Sequence, residues 1–285
     1  MFKNQPKGLI PAALSNMGER FGYYIMNAVL VLFLCSKFGL NEETSGLIYS
    51  CFYAGIYILS LVGGIIADKT QNYKGTIIKG LIIMTAGYAL LAIPILATAE
   101  NTTWLLTLTC AALFLIAFGN GLFKGNLQAI VGQLYDNPKY ADKRDSGFQI
   151  FYVFINIGGL IAPFVAPYLR EWWLSANDMV YNASFPEMCH QVLGGSADKL
   201  TEITDFATKV GYNGVESLKE FCGQYLDVFN SGIHFSFIAS VAAMLISLTI
   251  FLTTKKGLPN PAKKEAAAAV KYTQAEKAAM AKELK

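Results

Sequence analysis

From Gly80 to Ala99 the chain carries no Asp, Glu, Lys or Arg, and the same holds from Gly46 to Ala67. About 20 apolar residues wound as an α-helix cross the hydrocarbon of a bilayer. Further uncharged runs cover Trp104 to Phe123, Gly147 to Leu169 and Val228 to Thr254, and the fourth pattern continues past Lys124 to Tyr135. A first run, from about Leu9 to Ser36, is apolar but interrupted by Glu19 and Arg20. Charged residues make up 15% of the chain, against roughly 25% in a soluble domain, and they crowd between the runs. In lipid each backbone polar group must be bonded inside the protein, so these six runs are predicted to be helices. The expected fold is an all-α membrane protein, a six-transmembrane-helix bundle.

This pattern excludes several classes. No basic patch interleaved with aromatics is present, so no nucleic acid partner is expected. No Cys-x-x-Cys or His-rich spacing suggests a metal. No Ser-His-Asp set or paired carboxylates occur in the spans, so the chain is not expected to be an enzyme. No small-residue cleavage site follows the first run, which is expected to act as its own insertion signal.

Basic residues in short loops set orientation. Lys3 and Lys7 precede the first span, Lys69, Lys74 and Lys79 lie between the second and third, and Lys139, Lys143 and Arg144 between the fourth and fifth. Lys255, Lys256, Lys263 and Lys264 follow the last. The alternate short loops hold only Lys37. Both ends are therefore predicted to be cytoplasmic in a multi-pass protein of the cell (inner) membrane.

Residues 1–255 are read as the bundle, with a long outer loop at about 170–227. Cys189 and Cys222 in that loop are either a disulfide or two free thiols; spacing leaves both open. Asn182-Ala183-Ser184 matches a glycosylation sequon, a frequent chance pattern. Residues 256–285 are read as a cytoplasmic linker, with an exposed helix over 262–284, normally leading to a missing second bundle.

An ionisable group inside a span is a functional candidate by default. In the first span Asn16, Glu19, Arg20, Tyr23, Tyr24 and Asn27 recur at helical spacing and form one polar face. Tyr49, Tyr53 and Tyr57 do so in the second, Asn120, Lys124 and Gln128 in the fourth, and Gln149, Tyr152 and Asn156 in the fifth. Facing one another, these stripes would line a wet cavity. Each also has an ordinary reading: Glu19 and Arg20 as a plain ion pair, Lys124 snorkelling to the surface, the tyrosines in the interfacial belt, and Asn156 as interhelical glue. Pro163 and Pro167 are expected to bend the fifth span, and His190 and His234 to be surface or packing residues.

Four of these segments resemble the signatures of the proton-dependent oligopeptide transporters of the major facilitator superfamily. Glu19-Arg20-Phe21-Gly22-Tyr23-Tyr24 resembles the family's E-x-x-E-R-F-x-Y-Y. Phe151 to Gly158 resembles F-Y-x-x-I-N-x-G, and Gly121 to Asn126 is similar to G-L-F-K-P-N with Gly125 in place of Pro. Gly64 to Lys69 is similar to the superfamily's loop between spans two and three. The resemblance implies the N-terminal half of a twelve-helix major facilitator fold, importing di- and tripeptides by proton symport through alternating access. It implies no cofactor, with a proton gradient as driving force. It further implies that Arg20 and Lys124 face the peptide carboxylate, that Tyr23, Tyr24 and Tyr57 line the pocket beside Asn27, and that Asn156 bonds the peptide. Asp68 would belong to a cytoplasmic gate. Asn16 stands where the family's first glutamate belongs and cannot carry a proton, which leaves Glu19 as the coupling group. The expected partners are peptides, the lipid bilayer and a second six-helix bundle from the same or another chain. Two alternatives stand beside this reading: a carrier of nitrate or another small anion, and an inactive truncated scaffold.

Overall fold

The structure is a computed structural model that describes residues 4–98, 100–195 and 200–259. The described residues form helices joined by turns: α1 (Leu9–Phe38), α2 (Glu42–Thr70), α3 (Tyr73–Ala92), α4 (Thr102–Gln133), α5 (Arg144–Ala176), α6 (Phe185–Leu193), α7 (Leu200–Lys209) and α8 (Leu218–Thr254). All but α6 and α7 are long and apolar enough to cross a membrane, so the six predicted spans are present. The linker helix predicted over 262–284 lies outside the described residues.

Local chemistry explains the helix ends. Gly39 ends α1 in the left-handed region at φ 64°, with its N–H bonded to the Cys35 carbonyl. Asn41 caps α2 by accepting the Thr44 N–H at 2.8 Å. Ser217 and Glu220 form a reciprocal capping box at the start of α8.

The third span differs from its predicted bounds of Gly80 to Ala99. Helix α3 starts at Tyr73 and stops at Ala92. The start is earlier because Asn72 caps the chain there, so Lys74 and Lys79 are helical rather than loop residues. The stop is earlier because Pro94 forces the residue before it out of the helical region, and Ile93 is extended at ψ 116°. The long loop is also shorter than expected. Helix α5 runs on to Ala176, α8 begins at Leu218, and α6 and α7 fill part of the interval. Pro163 and Pro167 lie inside α5, which remains one helix through both.

Between lipid-embedded helices there is little hydrophobic driving force, so close packing at small residues holds the bundle. Helix α4 packs against α2 and α3, α1 against α5 and α8, and α3 joins the two groups through α8. A Cβ on Gly80 would sit 2.6 Å from the Gly119 carbonyl, and one on Gly119 would sit 2.6 Å from the Gly80 carbonyl. The backbones of α3 and α4 therefore touch where only glycine fits. The α1–α8 seam is sewn by hydroxyls: Ser247 Oγ donates to the Ser15 carbonyl at 2.6 Å and Ser240 Oγ to the Gly22 carbonyl at 2.9 Å.

The two ends of the bundle differ. At one end Lys74 Nζ donates to the Lys255 and Leu258 carbonyls, and Gln5 bridges Tyr135 and Ser146. At the other, α6 lies over the end of α1 and the head of α8, and His190 Nε2 is 2.8 Å from the Ser36 carbonyl. A cavity of about 230 Å³ opens beneath it.

Candidate functional site

The polar face of α1 is buried at Glu19 and Arg20, and Glu19 meets α4 there. Glu19 is fully buried and Arg20 is 7% exposed. Neighbours in a helix point about 100° apart, yet the long Arg20 side chain reaches back to grip the Glu19 carboxylate. Its Nε donates to Oε2 and its Nη2 to Oε1, each at 2.6 Å. Asn120 on α4 adds a third donor, with Nδ2 2.7 Å from Oε1. A buried charge is tolerable only when paired and hydrogen-bonded, and Glu19 has both. The guanidinium also lies 4.8 Å from the centre of the Tyr23 ring, which meets Tyr24 edge-on.

One turn along α4 from Asn120 lies Lys124, half-buried, with no acidic partner among the described residues. Its ammonium sits 5.5 Å from the centre of the Tyr57 ring. The Tyr57 hydroxyl is 3.2 Å from that of Tyr53, which stacks on Tyr49, so the tyrosine ladder of α2 exists as the spacing predicts. Tyr57 is 55% exposed.

The remaining sequence candidates make no hydrogen bond to these groups among the described residues. Asn27 is half-buried, and its side-chain oxygen has no partner. Asn156 is exposed on α5 and makes no hydrogen bond among the described residues. Asp68 is exposed at the end of α2 and accepts the Tyr73 hydroxyl across the turn to α3. Two cations, one dressed carboxylate and a tyrosine wall thus lie along α1, α2 and α4, and the exposed faces of α2 and α5 continue the surface.

Two buried polar features, the Tyr88 hydroxyl and the contact between Lys37 and His234, were not foreseen in the sequence. Tyr88 of α3 is fully buried beside Glu19 and Arg20, with its hydroxyl unpartnered. Its signal was a hydroxyl in the middle of an otherwise apolar run. Lys37 and His234 form a buried pair near the α6 end. His234 Nδ1 lies 2.8 Å from the Leu91 carbonyl and so carries the proton, and Nε2 accepts from Lys37 at 3.1 Å. His234 is thus a packing residue, as expected, with one definite tautomer.

The sequence profile of the POT family matches residues 74–275. The chain belongs to the POT family. A di-/tripeptide transporter of Lactococcus lactis subsp. cremoris is 37% identical over 171 residues, an alignment covering 58% of this chain and 32% of the relative. A dipeptide and tripeptide permease A of Chromobacterium violaceum is 34% identical over 167 residues, covering 59% and 32%. Among solved structures, the peptide transporter POT in complex with sulfate superposes with a TM-score of 0.60 at 26% identity, over 100% of this chain and 46% of that one. A point mutant of a peptide transporter POT in complex with alafosfalin gives 0.59 at 26% identity, over 100% and 47%. The alignments span about a third of the length of these curated POT relatives. POT proteins are membrane transporters rather than enzymes, and six apolar helices make this one a multi-pass membrane protein.

Proposed function

We propose that this chain forms the first six-helix bundle of a peptide:proton symporter, with its second bundle packed against the open faces of α2 and α5. Both ends face the cytoplasm, α6 and α7 face outward, and residues 256–285 link the bundles. The substrates are di- and tripeptides, whose zwitterionic ends require a cation for the carboxylate and aromatic walls tolerant of varied side chains.

The observation that carries this reading is the buried Glu19–Arg20 pair held by Asn120, one helical turn from an unpaired Lys124. While Glu19 is ionised, it occupies two of the guanidinium donors. A proton on Glu19 abolishes the charge that holds Arg20 and releases those donors to a carboxylate lying between Arg20 and Lys124. Proton and peptide then enter as a neutralised set, and loss of the proton inward re-forms the pair and expels the carboxylate. Tyr23, Tyr24, Asn27 and Tyr57 line this volume, Asn156 bonds the peptide backbone, and Asp68 acts at the cytoplasmic gate.

A second reading rests on the same two cations. Arg20 and Lys124 would also suit a small inorganic anion, and a related POT structure is a complex with sulfate. Competition separates the two. The gene product carrying this chain, reconstituted in liposomes with an inward proton gradient, should take up labelled dialanine, with unlabelled dipeptide competing and nitrate inert. Nitrate competition without peptide competition would install the anion reading.

A further inference from the structure

Two of the five cysteines lie outside the apolar runs, and both are buried where α6 packs on α8. Helix α6 is amphipathic and buries Phe185, Pro186 and Cys189. The first turns of α8 bury Phe221, Cys222 and Tyr225 against it. Both cysteine side chains have no exposed surface, and they share one seam, in which the Phe185 ring one turn before Cys189 meets Phe221 and Tyr225 on either side of Cys222. Cys35, by contrast, bonds Ser45, while Cys51 and Cys110 are exposed on α2 and α4.

Everything else that holds α6 to the bundle is non-covalent. His190 bonds the Ser36 carbonyl at 2.8 Å, the Tyr225 hydroxyl donates to the Val180 carbonyl at 2.9 Å, and the Phe185 ring meets Tyr225 edge-on at 4.8 Å.

We propose that Cys189 and Cys222 form a disulfide that staples α6 to the head of α8. The proposal rests on the orientation given above, which puts α6 outside the cytoplasm, where disulfides persist. The bond forms by exchange with a protein disulfide oxidant of that compartment. A thiolate of one cysteine attacks the oxidant's S–S bond, and the second cysteine then displaces the oxidant from the mixed disulfide. Two protons leave the cysteines, and two electrons reduce the oxidant to its dithiol. Both thiols are fully buried in the folded protein, so a protein oxidant cannot reach them there. The bond therefore closes before α6 seats, and afterwards the same burial shields it from reductant.

The test uses the full gene product in its native membrane. Free thiols are blocked with N-ethylmaleimide in denaturant without reductant, and the protein is digested and mapped by mass. The expected result is a Cys189 peptide joined to a Cys222 peptide, lighter by two hydrogens than their sum and separated by a phosphine. Cys189→Ser should leave Cys222 free and labelled, and the double serine variant should melt below wild type in the absence of reductant. A parallel arm places a single reporter at exposed Val215 (Val215→Cys, with all five native cysteines changed to Ser) and labels intact cells with an impermeant maleimide. Both native cysteines blocked as free thiols, with Val215→Cys labelled from outside, overturns the disulfide and leaves the orientation standing. An unlabelled Val215→Cys that reacts only after permeabilisation overturns the orientation and the staple with it. Transport enters neither arm.

Discussion

The Asn120 side-chain amide on α4 donates to the Glu19 carboxylate on α1 at 2.7 Å, and this bond ties the helix bearing Arg20 to the helix bearing Lys124. Asn120 is fully buried, and its own side-chain oxygen is unpartnered, so it serves as a donor only. Asn120→Ala should cost about 1–3 kcal/mol, the range for leaving a buried polar partner unsatisfied. Asn120→Asp should cost more, because it sets a second carboxylate against the first. Thermal unfolding in detergent, compared with wild type, reads both.

Glu19 is the sole acidic partner of Arg20 among the described residues. Breaking a buried pair from one side leaves an uncompensated charge and typically costs about 3–5 kcal/mol. Glu19→Leu should reach that range. Glu19→Leu combined with Arg20→Met should be more stable than Glu19→Leu alone, because the stranded charge is gone. Glu19→Gln should be milder than Glu19→Leu, since it keeps one acceptor oxygen for Asn120 or Arg20. Equal melting of Glu19→Leu and the double variant would show that the pair carries no such burden.

The α3–α4 contact tolerates no side chain at its crossing. Gly119→Leu must force the helices apart, at about 1–3 kcal/mol for overpacking even with relaxation. Gly64→Ala has open space within 4 Å and serves as the matched control. Size-exclusion profiles should show aggregated or lost Gly119→Leu protein and an unchanged Gly64→Ala peak.

Among the described residues Lys124 has no acidic partner to strand. Lys124→Ala should therefore shift stability by about 1 kcal/mol or less, the worth of a single cation–π contact. Its effect on peptide affinity should be larger. A charged hydrogen bond is worth about 1.5–3 kcal/mol, so dipeptide binding should weaken by roughly tenfold or more. Calorimetry on the purified transporter checks the affinity, and its melting curve checks the fold.

Much of this was legible in the sequence because charge is so costly in lipid. Glu19, Arg20 and Lys124 stood out as the ionisable residues inside the spans, and the spacing of Asn120 and Lys124 placed them on one face of α4. What the sequence could not supply is which stripe meets which. The Asn120–Glu19 bond depends on the register of α4 against α1, and no periodicity along one helix encodes it. The start of α3 was misread because Lys74 and Lys79 look like loop residues, while the cap at Asn72 carries them into a helix. Pro94 carried a stop signal that the surrounding apolar run concealed. Helix α6 was read as loop because its buried face is only Phe185, Pro186 and Cys189. The second half of the binding volume, against which Asn156 and Tyr57 remain open, belongs to the partner bundle in the proposed assembly.

The most direct test of the proposal is the pH dependence of dialanine transport by Glu19→Gln in the full gene product, with its folding verified by melting. The account predicts that wild-type uptake is driven by an inward proton gradient. It predicts that Glu19→Gln loses gradient-driven accumulation while still exchanging labelled for unlabelled dipeptide. Gradient-driven accumulation by Glu19→Gln with the wild-type pH profile would contradict it, and would move the coupling proton to another residue.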